Sequence, residues 1–309
     1  MGESSQKQIV KKQHFVPGSY LKRFSENGYL RVLDLENKKI WEKAKHYNQV
    51  CYKEYFYAHK TGIHDELSQQ VESYLKSIED NMTLFLNDFE NEILENRQIS
   101  ESFIWDMSYL MSFMWIRTSA FRNQMNKSMR EMTKKMIQLN VDNFVNSGDA
   151  DSFIKDGKER AEMKEFILSG RYDVTFNNSM HLKFFENVED YATLFLIKTW
   201  RVYIAEGDLR FITSDIPVIE TMPYKDNFWG RHISLRNQYF AISPKVLIEL
   251  IPPNRGKKLK RKRIGDEDVM KHNLTRADSS MNHCYSSTCK EFDLLIKWRE
   301  AYLNKNLLH

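Results

Sequence analysis

Apolar residues recur at spacings of three and four between positions 65 and 89, at Leu67, Val71, Tyr74, Ile78, Met82, Phe85 and Phe89. One side of a 3.6-residue helix collects such positions, so the pattern predicts a long amphipathic helix packed along a single stripe. A second helix is expected from about Ser102 to Leu139. Its first part, Phe103 to Ile116, is apolar at eleven of fourteen positions and reads as a buried central helix. Beyond Arg122 it turns Lys-, Arg- and Met-rich and should reach the surface. Asn146-Ser147-Gly148-Asp149 reads as a turn. A third helix is predicted over Ser179 to Trp200, with His181, Phe184, Phe185, Val188, Tyr191, Ala192 and Phe195 along its stripe.

Elsewhere the period is two. Tyr29 to Leu35 and Ile40 to Lys43 flank Glu36-Asn37-Lys38-Lys39 and predict a β-hairpin. Val202 to Ala205, the turn Glu206-Gly207-Asp208 and Leu209 to Thr213 predict a second hairpin, and Tyr239 to Ile242 and Val246 to Ile251 two more strands around Ser243-Pro244-Lys245. Pro252-Pro253-Asn254 ends this sheet. Two helices close the chain, one capped near Asp266 and one carrying Phe292, Leu295, Trp298 and Tyr302. The expected fold is α+β and predominantly helical, with an N-terminal β-hairpin and a small antiparallel sheet in the C-terminal third. A single compact domain over 1–309 accommodates it: opening motif and hairpin 12–60, helical middle 65–200, sheet 201–252, C-terminal helices 265–307.

Composition agrees with a folded chain. At 309 residues and 36.9 kDa it is long enough to bury a substantial core, and 41% hydrophobic residues with only 11 Gly and 6 Pro exclude a disordered or low-complexity protein. Cys51, Cys284 and Cys289 form neither a disulfide framework nor a C-x-x-C zinc pair, so they read as free thiols in a reducing compartment. The opening residues lack an apolar signal region, Gln6 stands where a myristoylation motif wants Ser or Thr, and the apolar run ending at Ile116 is too short to cross a bilayer. A cytoplasmic protein with no membrane partner is expected. Net charge is +4, yet Arg255 to Arg263 alone carries seven positive residues, so basicity is a local strip on an otherwise acidic chain.

The stretch Lys12 to Phe24, K-Q-H-F-V-P-G-S-Y-L-K-R-F, packs a His, a Pro and aromatics into a segment without helical period. Together with F-I-T-S-D-I-P-V from Phe211 to Val218, it resembles the bacterial domain-of-unknown-function 4238 family. The likeness covers nearly the whole length as scattered motifs. Gln13-His14-Phe15-Val16-Pro17 with Tyr20-Leu21 and Phe24, the pair Phe56-Tyr57, and the glutamates Glu72 and Glu79 are similar to family features. So are Trp200, Thr213-Ser214-Asp215 with Pro217, and Ser243-Pro244. Arg117-Thr118 and Arg122 resemble an R-T-P-x-x-R pattern, with Ser119 in place of Pro, and Ile216 replaces a commoner polar residue. The resemblance singles out residues without implying a reaction.

Residue chemistry gives each of these two readings. His14 can ligate metal, act as a general base or donate to an anion, or it can pin the opening segment. Asp215 follows an apolar strand, where a side chain can be delivered to a cleft with Thr213 and Ser214 beside it, or it can close an Asx-turn. Glu72 and Glu79 lie about 100° from the apolar stripe and face water unless a second layer covers them, in which case they join His14 and Asp215 as ligands for Mg or Mn. Arg117, at the end of the buried run, can fork onto a phosphate or pair with Glu72 or Glu79. Arg122 is a further anion contact, and His181 on its apolar stripe is a core histidine or a ligand. Lys257, Lys258 and Arg261 belong to the basic strip, which suits phosphate backbones or is a solvated loop, and which contains no aromatic for base stacking.

There is no G-x-G-x-x-G, P-loop, H-E-x-x-H or G-x-S-x-G motif, which removes dinucleotide enzymes, P-loop kinases, zincins and lipase-type hydrolases. The expectation is a metal-assisted hydrolase of nuclease or phosphodiesterase type, acting on nucleic acid or a nucleotide through His14, Glu79, Arg117 and Asp215, in keeping with bacterial defence or toxin biology. The alternative is a non-catalytic module that docks nucleic acid or an acidic protein on the strip 255–263.

Overall fold

A computed structural model of the chain describes residues 11–61, 66–68, 70–147, 156–176, 179–221, 235–254 and 258–306. The opening motif forms strand β1 (Lys12–His14), and Pro17 then starts helix α1 (Gly18–Lys22). The predicted first hairpin is present as β2 (Tyr29–Asp34) and a short return β3 (Lys39–Ile40), joined through Lys38 at φ 51°; β4 (Lys45–His46) also pairs with β2. β5 (Tyr52–Glu54) runs antiparallel to β1, and β6 (His59–Thr61) pairs with β7 (Glu66–Ser68).

Helix α2 spans Gln70–Leu94, so it starts later than Asp65 because a strand occupies 66–68. Its buried stripe is Leu75, Met82, Leu86, Phe89 and Ile93, while Tyr74 is exposed. The buried side is therefore turned from the predicted one, and Glu79, four residues after Leu75 and three before Met82, falls on it. The second predicted helix is two, α3 (Glu101–Ile116) and α4 (Ser119–Leu139). Thr118 breaks them: its hydroxyl donates to the Trp115 carbonyl and accepts from the Phe121 amide as the α4 cap. Ser119 thus sits at the first helical position, where a proline is also suited, and the turn forms without one. Within the buried α3, Ser108 and Ser112 donate to the carbonyls four residues back, which satisfies their hydroxyls away from water. α5 (Val141–Val145) and α6 (Gly157–Ser169) add a small satellite core of Val141, Val145 and Ile167; of the predicted 146–149 turn, 148 and 149 lie outside the described residues.

The third predicted helix is also divided, into α7 (Ser179–Glu186) and α8 (Val188–Leu196), and it stops before Trp200, which belongs to β8 (Thr199–Ala205). The remaining elements are β9 (Thr213–Ser214), β10 (Val218–Thr221), β11 (Asn237–Ala241), β12 (Val246–Ile251), β13 (Leu259–Ile264), α9 (Asp266–Ser279), β14 (His283–Ser286) and α10 (Lys290–Asn306). The predicted hairpin 202–213 does not form. β8 pairs antiparallel with β12 and parallel with β13, in a five-stranded sheet ordered β10-β11-β12-β8-β13. The predicted pairing around Ser243-Pro244-Lys245 is present as β11 with β12. β12 is buried at all six positions, as a central strand covered on both faces must be, and the basic strip supplies the sheet's edge strand instead of a loop. A second sheet, β3-β2-β14-β9 with β4 beside β2, joins the opening third of the chain to its end.

The opening segment is tied to that C-terminal half by buried polar bonds. The Tyr20 hydroxyl donates to the Ala241 carbonyl at 2.7 Å and bonds Thr213 Oγ1 at 2.8 Å, while its ring stacks on Phe240. The architecture is α+β and mostly helical, with antiparallel pairing in its sheets except at β13.

Candidate functional site

A groove of about 1060 Å³ opens between the β1–α1 segment, the flank of α2 and the Ser243-Pro244-Lys245 turn. α2 supplies Glu79, Asp80, Thr83, Asn87, Asn91 and Leu94 among the lining residues, and other elements bring His14, Lys22, Tyr47, Arg210 and Lys245. Pairing of β1 with β5 places His14 directly opposite Tyr52, with the two rings edge-to-face at 5.7 Å.

His14, Glu79 and Arg117 come together here. Arg117 is 1% exposed; its Nη2 donates to the His14 carbonyl at 2.6 Å and stands 2.8 Å from Glu79 Oε1. The Tyr57 hydroxyl donates to the Arg117 carbonyl at 3.0 Å, and the Phe113 ring lies 5.1 Å from the guanidinium. Burial opposes the charge on Arg117, but the Tyr57 and Glu79 side chains outweigh it, so its pKa stands above the ordinary value. The guanidinium does not line the groove, so the predicted fork onto a phosphate is corrected: it fixes a groove glutamate and the main chain of His14. Its Nε and Nη1, with Gln13 Nε2 and His14 Nε2, are enclosed and without hydrogen-bond partners.

The His14 imidazole is held below its ordinary 6.5, first by burial and further by Arg117 and Lys12, while the Asn48 main chain and Glu79 act in the other direction. It is therefore neutral at pH 7, the form that accepts a proton. Farther along the groove, Arg23 forks onto Glu90 (2.5 Å) and Asn87, and its Nε donates to the Ile242 carbonyl at 2.7 Å. Ser243 completes the knot by donating to the other Glu90 oxygen at 2.5 Å. The Ser243-Pro244 motif thus fastens the sheet turn to α2. Sequence reading missed Arg23 and Glu90, and the signal available was Arg23 inside the opening motif.

Asp215 does not join this site. Oδ1 accepts from the Met281 amide at 3.1 Å, and Oδ2 from the amide and side chain of Asn282 at 2.7 and 3.1 Å. Its 4% exposure pushes its pKa up despite those donors. The carboxylate closes the turn before β14, and Asp215 is not among the residues lining the groove. Thr213 and Ser214 are likewise buried, the first against Tyr20 and the second closing its own turn by accepting from the Ile216 amide at 3.2 Å. Arg276, unmarked in sequence, is buried beneath this loop and donates to the Ile216, Pro217 and Tyr239 carbonyls.

Arg122 donates to the Phe56 carbonyl at 2.8 Å with its guanidinium 3.6 Å from the Phe56 ring, and burial lowers its pKa to about 10. His181 is a core histidine, 5% exposed, and burial followed by the Arg122 charge lowers its pKa to about 4. Neither lines the groove. On the basic strand, Lys258 is exposed, Arg261 bonds Asn96 and the Arg97 carbonyl just past α2, and Lys262 and Arg263 pair with Asp268 and Glu206; Lys257 lies outside the described residues. Among the described residues no three of His, Cys, Asp and Glu gather as a metal cage would require, and the Glu72 side chain lies outside them. The three cysteines are free, with Cys51 and Cys284 buried.

The opening segment, α2 and the sheets that it ties together all fall within one family match. The family described as Protein of unknown function (DUF4238) matches residues 12–290, and the chain belongs to it. No curated protein and no solved structure matches the chain. No helix among the described residues is long and apolar enough to cross a membrane.

Proposed function

We propose that the groove is the active site of a hydrolase that cleaves phosphodiester bonds of a nucleotide or nucleic acid. The observation that carries this reading is that His14 and Glu79 both line the groove, with the buried Arg117 joined to both. The step requires the enclosed His14 Nε2 to open onto the groove; the neutral imidazole then accepts a proton from water, the water oxygen attacks phosphorus, the bond to the leaving oxygen breaks, and that oxygen takes a proton from solvent. Lys22, Arg210 and Lys245, all groove residues, balance the charge of the phosphate oxygens. Mg²⁺ is commonly held by one or two carboxylates together with substrate phosphates, so Glu79 and Asp80 would be the residues to hold a Mg or Mn ion delivered with the substrate, which would supply charge stabilisation at the phosphoryl oxygens. Arg117 acts as a positioning residue. A place in defence or toxin biology accords with such an activity.

The test incubates the purified chain with labelled DNA, RNA and nucleotides, with magnesium, with manganese and with chelator. Turnover should fall roughly 100-fold or more in His14→Ala, the usual scale for loss of a general base, and also fall in Glu79→Gln. Folded wild-type protein that turns over none of these substrates in any condition refutes the reading.

A further inference from the structure

The lining residues that α2 contributes, Glu79, Asp80, Thr83, Asn87, Glu90, Asn91 and Leu94, recur with the helical period, so one helix face lines the groove along its length from 79 to 94. The fifteen rises of about 1.5 Å between Glu79 and Leu94 make that face about 22 Å long. A volume of about 1060 Å³ also stands at the upper limit of small-molecule pockets, which run from about 300 to 1,000 Å³. The shape is that of a track for a polymer.

Charge selects the polymer. Glu79 is neutralised by Arg117 and Glu90 by Arg23. That leaves Lys22, Arg210 and Lys245 against Asp80 alone, none of them in an ion pair among the described residues. Thr83, Asn87 and Asn91 add hydroxyl and amide groups to the lining, and Tyr47 is its aromatic residue. Past Leu94 the chain turns through Asn96 and Arg97, where Arg261 of the basic edge strand docks and Arg97 is paired with Glu92 and Glu95, so the unpaired positive charge lies within the groove itself.

Building on the phosphodiesterase reading, we propose that the groove takes a single strand of nucleic acid along α2, with the reacting phosphate at the His14 end. At the stacked rise of 3.4 Å per nucleotide, about six nucleotides fill the track.

Fluorescence anisotropy in chelator, with labelled AMP and single strands of about two to about twelve nucleotides, measures this directly. Affinity should climb with length to about six nucleotides and then level. Three phosphate contacts at about 0.7 each give a slope of log affinity against log salt near −2, and Lys22→Glu or Lys245→Glu should each flatten it by about 0.7. AMP binding as tightly as the longest strand overturns the proposal, as does an equally charged glutamate-rich peptide binding as tightly. A strand bound as described but never cleaved with magnesium or manganese leaves the track standing and removes the hydrolase. Nucleotide cleavage without length dependence removes the track and leaves the hydrolase.

Discussion

Replacing Asp215 by asparagine separates a structural carboxylate from a catalytic one. The wild-type side chain receives three donated bonds, two of them from the Met281 and Asn282 amides. An asparagine keeps one acceptor oxygen, so in either orientation its NH2 group faces at least one of those N–H donors and leaves it unpaired at a site only 4% exposed. A buried donor without a partner costs about 1–3 kcal/mol, and the opposed N–H groups add to it, for a loss of about 3 kcal/mol. With an unfolding entropy of about 2.1 cal/mol/K per residue over 309 residues, the midpoint should fall by about 5 °C. Calorimetry gives the shift, and turnover and strand binding are measured well below the lowered midpoint, where both should persist. A variant with an unchanged midpoint and abolished turnover would place Asp215 in the chemistry and refute the assignment.

The acid limb of kcat/KM should lie below pH 6.5, because burial lowers the His14 pKa and the neutral base persists on acidification; a limb centred above 6.5 contradicts the assignment. Stability should decline as pH falls from about 6.5 towards about 4, since the unfolded chain takes up protons that His181 refuses when folded, and His181→Phe should flatten that decline in urea titrations at graded pH. Ser119→Pro should raise stability by about 0.4–1 kcal/mol, because Thr118 at φ −75°, ψ 154° already suits a following proline and the first helical position needs no N–H; a lower denaturation midpoint would show that the Thr118 break is misread.

Helix existence was legible wherever apolar residues kept a period of three and four, but its interruptions were not. Thr118 and Asn187 divide helices whose apolar stripes continue across the break, so periodicity alone reads straight through. Period two marked residues 202–205 as strand, yet it carries no information about partners. Proximity suggested 209–213, whereas β8 found β12 and β13, more than forty residues away. The strand L-K-R-K-R-I hid because charge on both faces erases alternation, a pattern that an edge position tolerates. In the site, resemblance drew attention to His14, Glu79 and Arg117, and geometry joined them. Asp215 carried the same signals, and only its coordinates show both oxygens spent on the turn before β14.

The bonds from Tyr20 to Thr213 and Ala241 span 193 and 221 positions along the chain. During synthesis the segment holding His14 pairs early with β5 but leaves the ribosome long before Thr213 and Ala241 exist, so its attachment to the sheets waits for the C-terminal half of the chain. Closing loops of that length is slow. A nascent chain halted before β11 would hold a solvated Tyr20 and no finished groove, which confines any activity of the groove to chains translated past that strand.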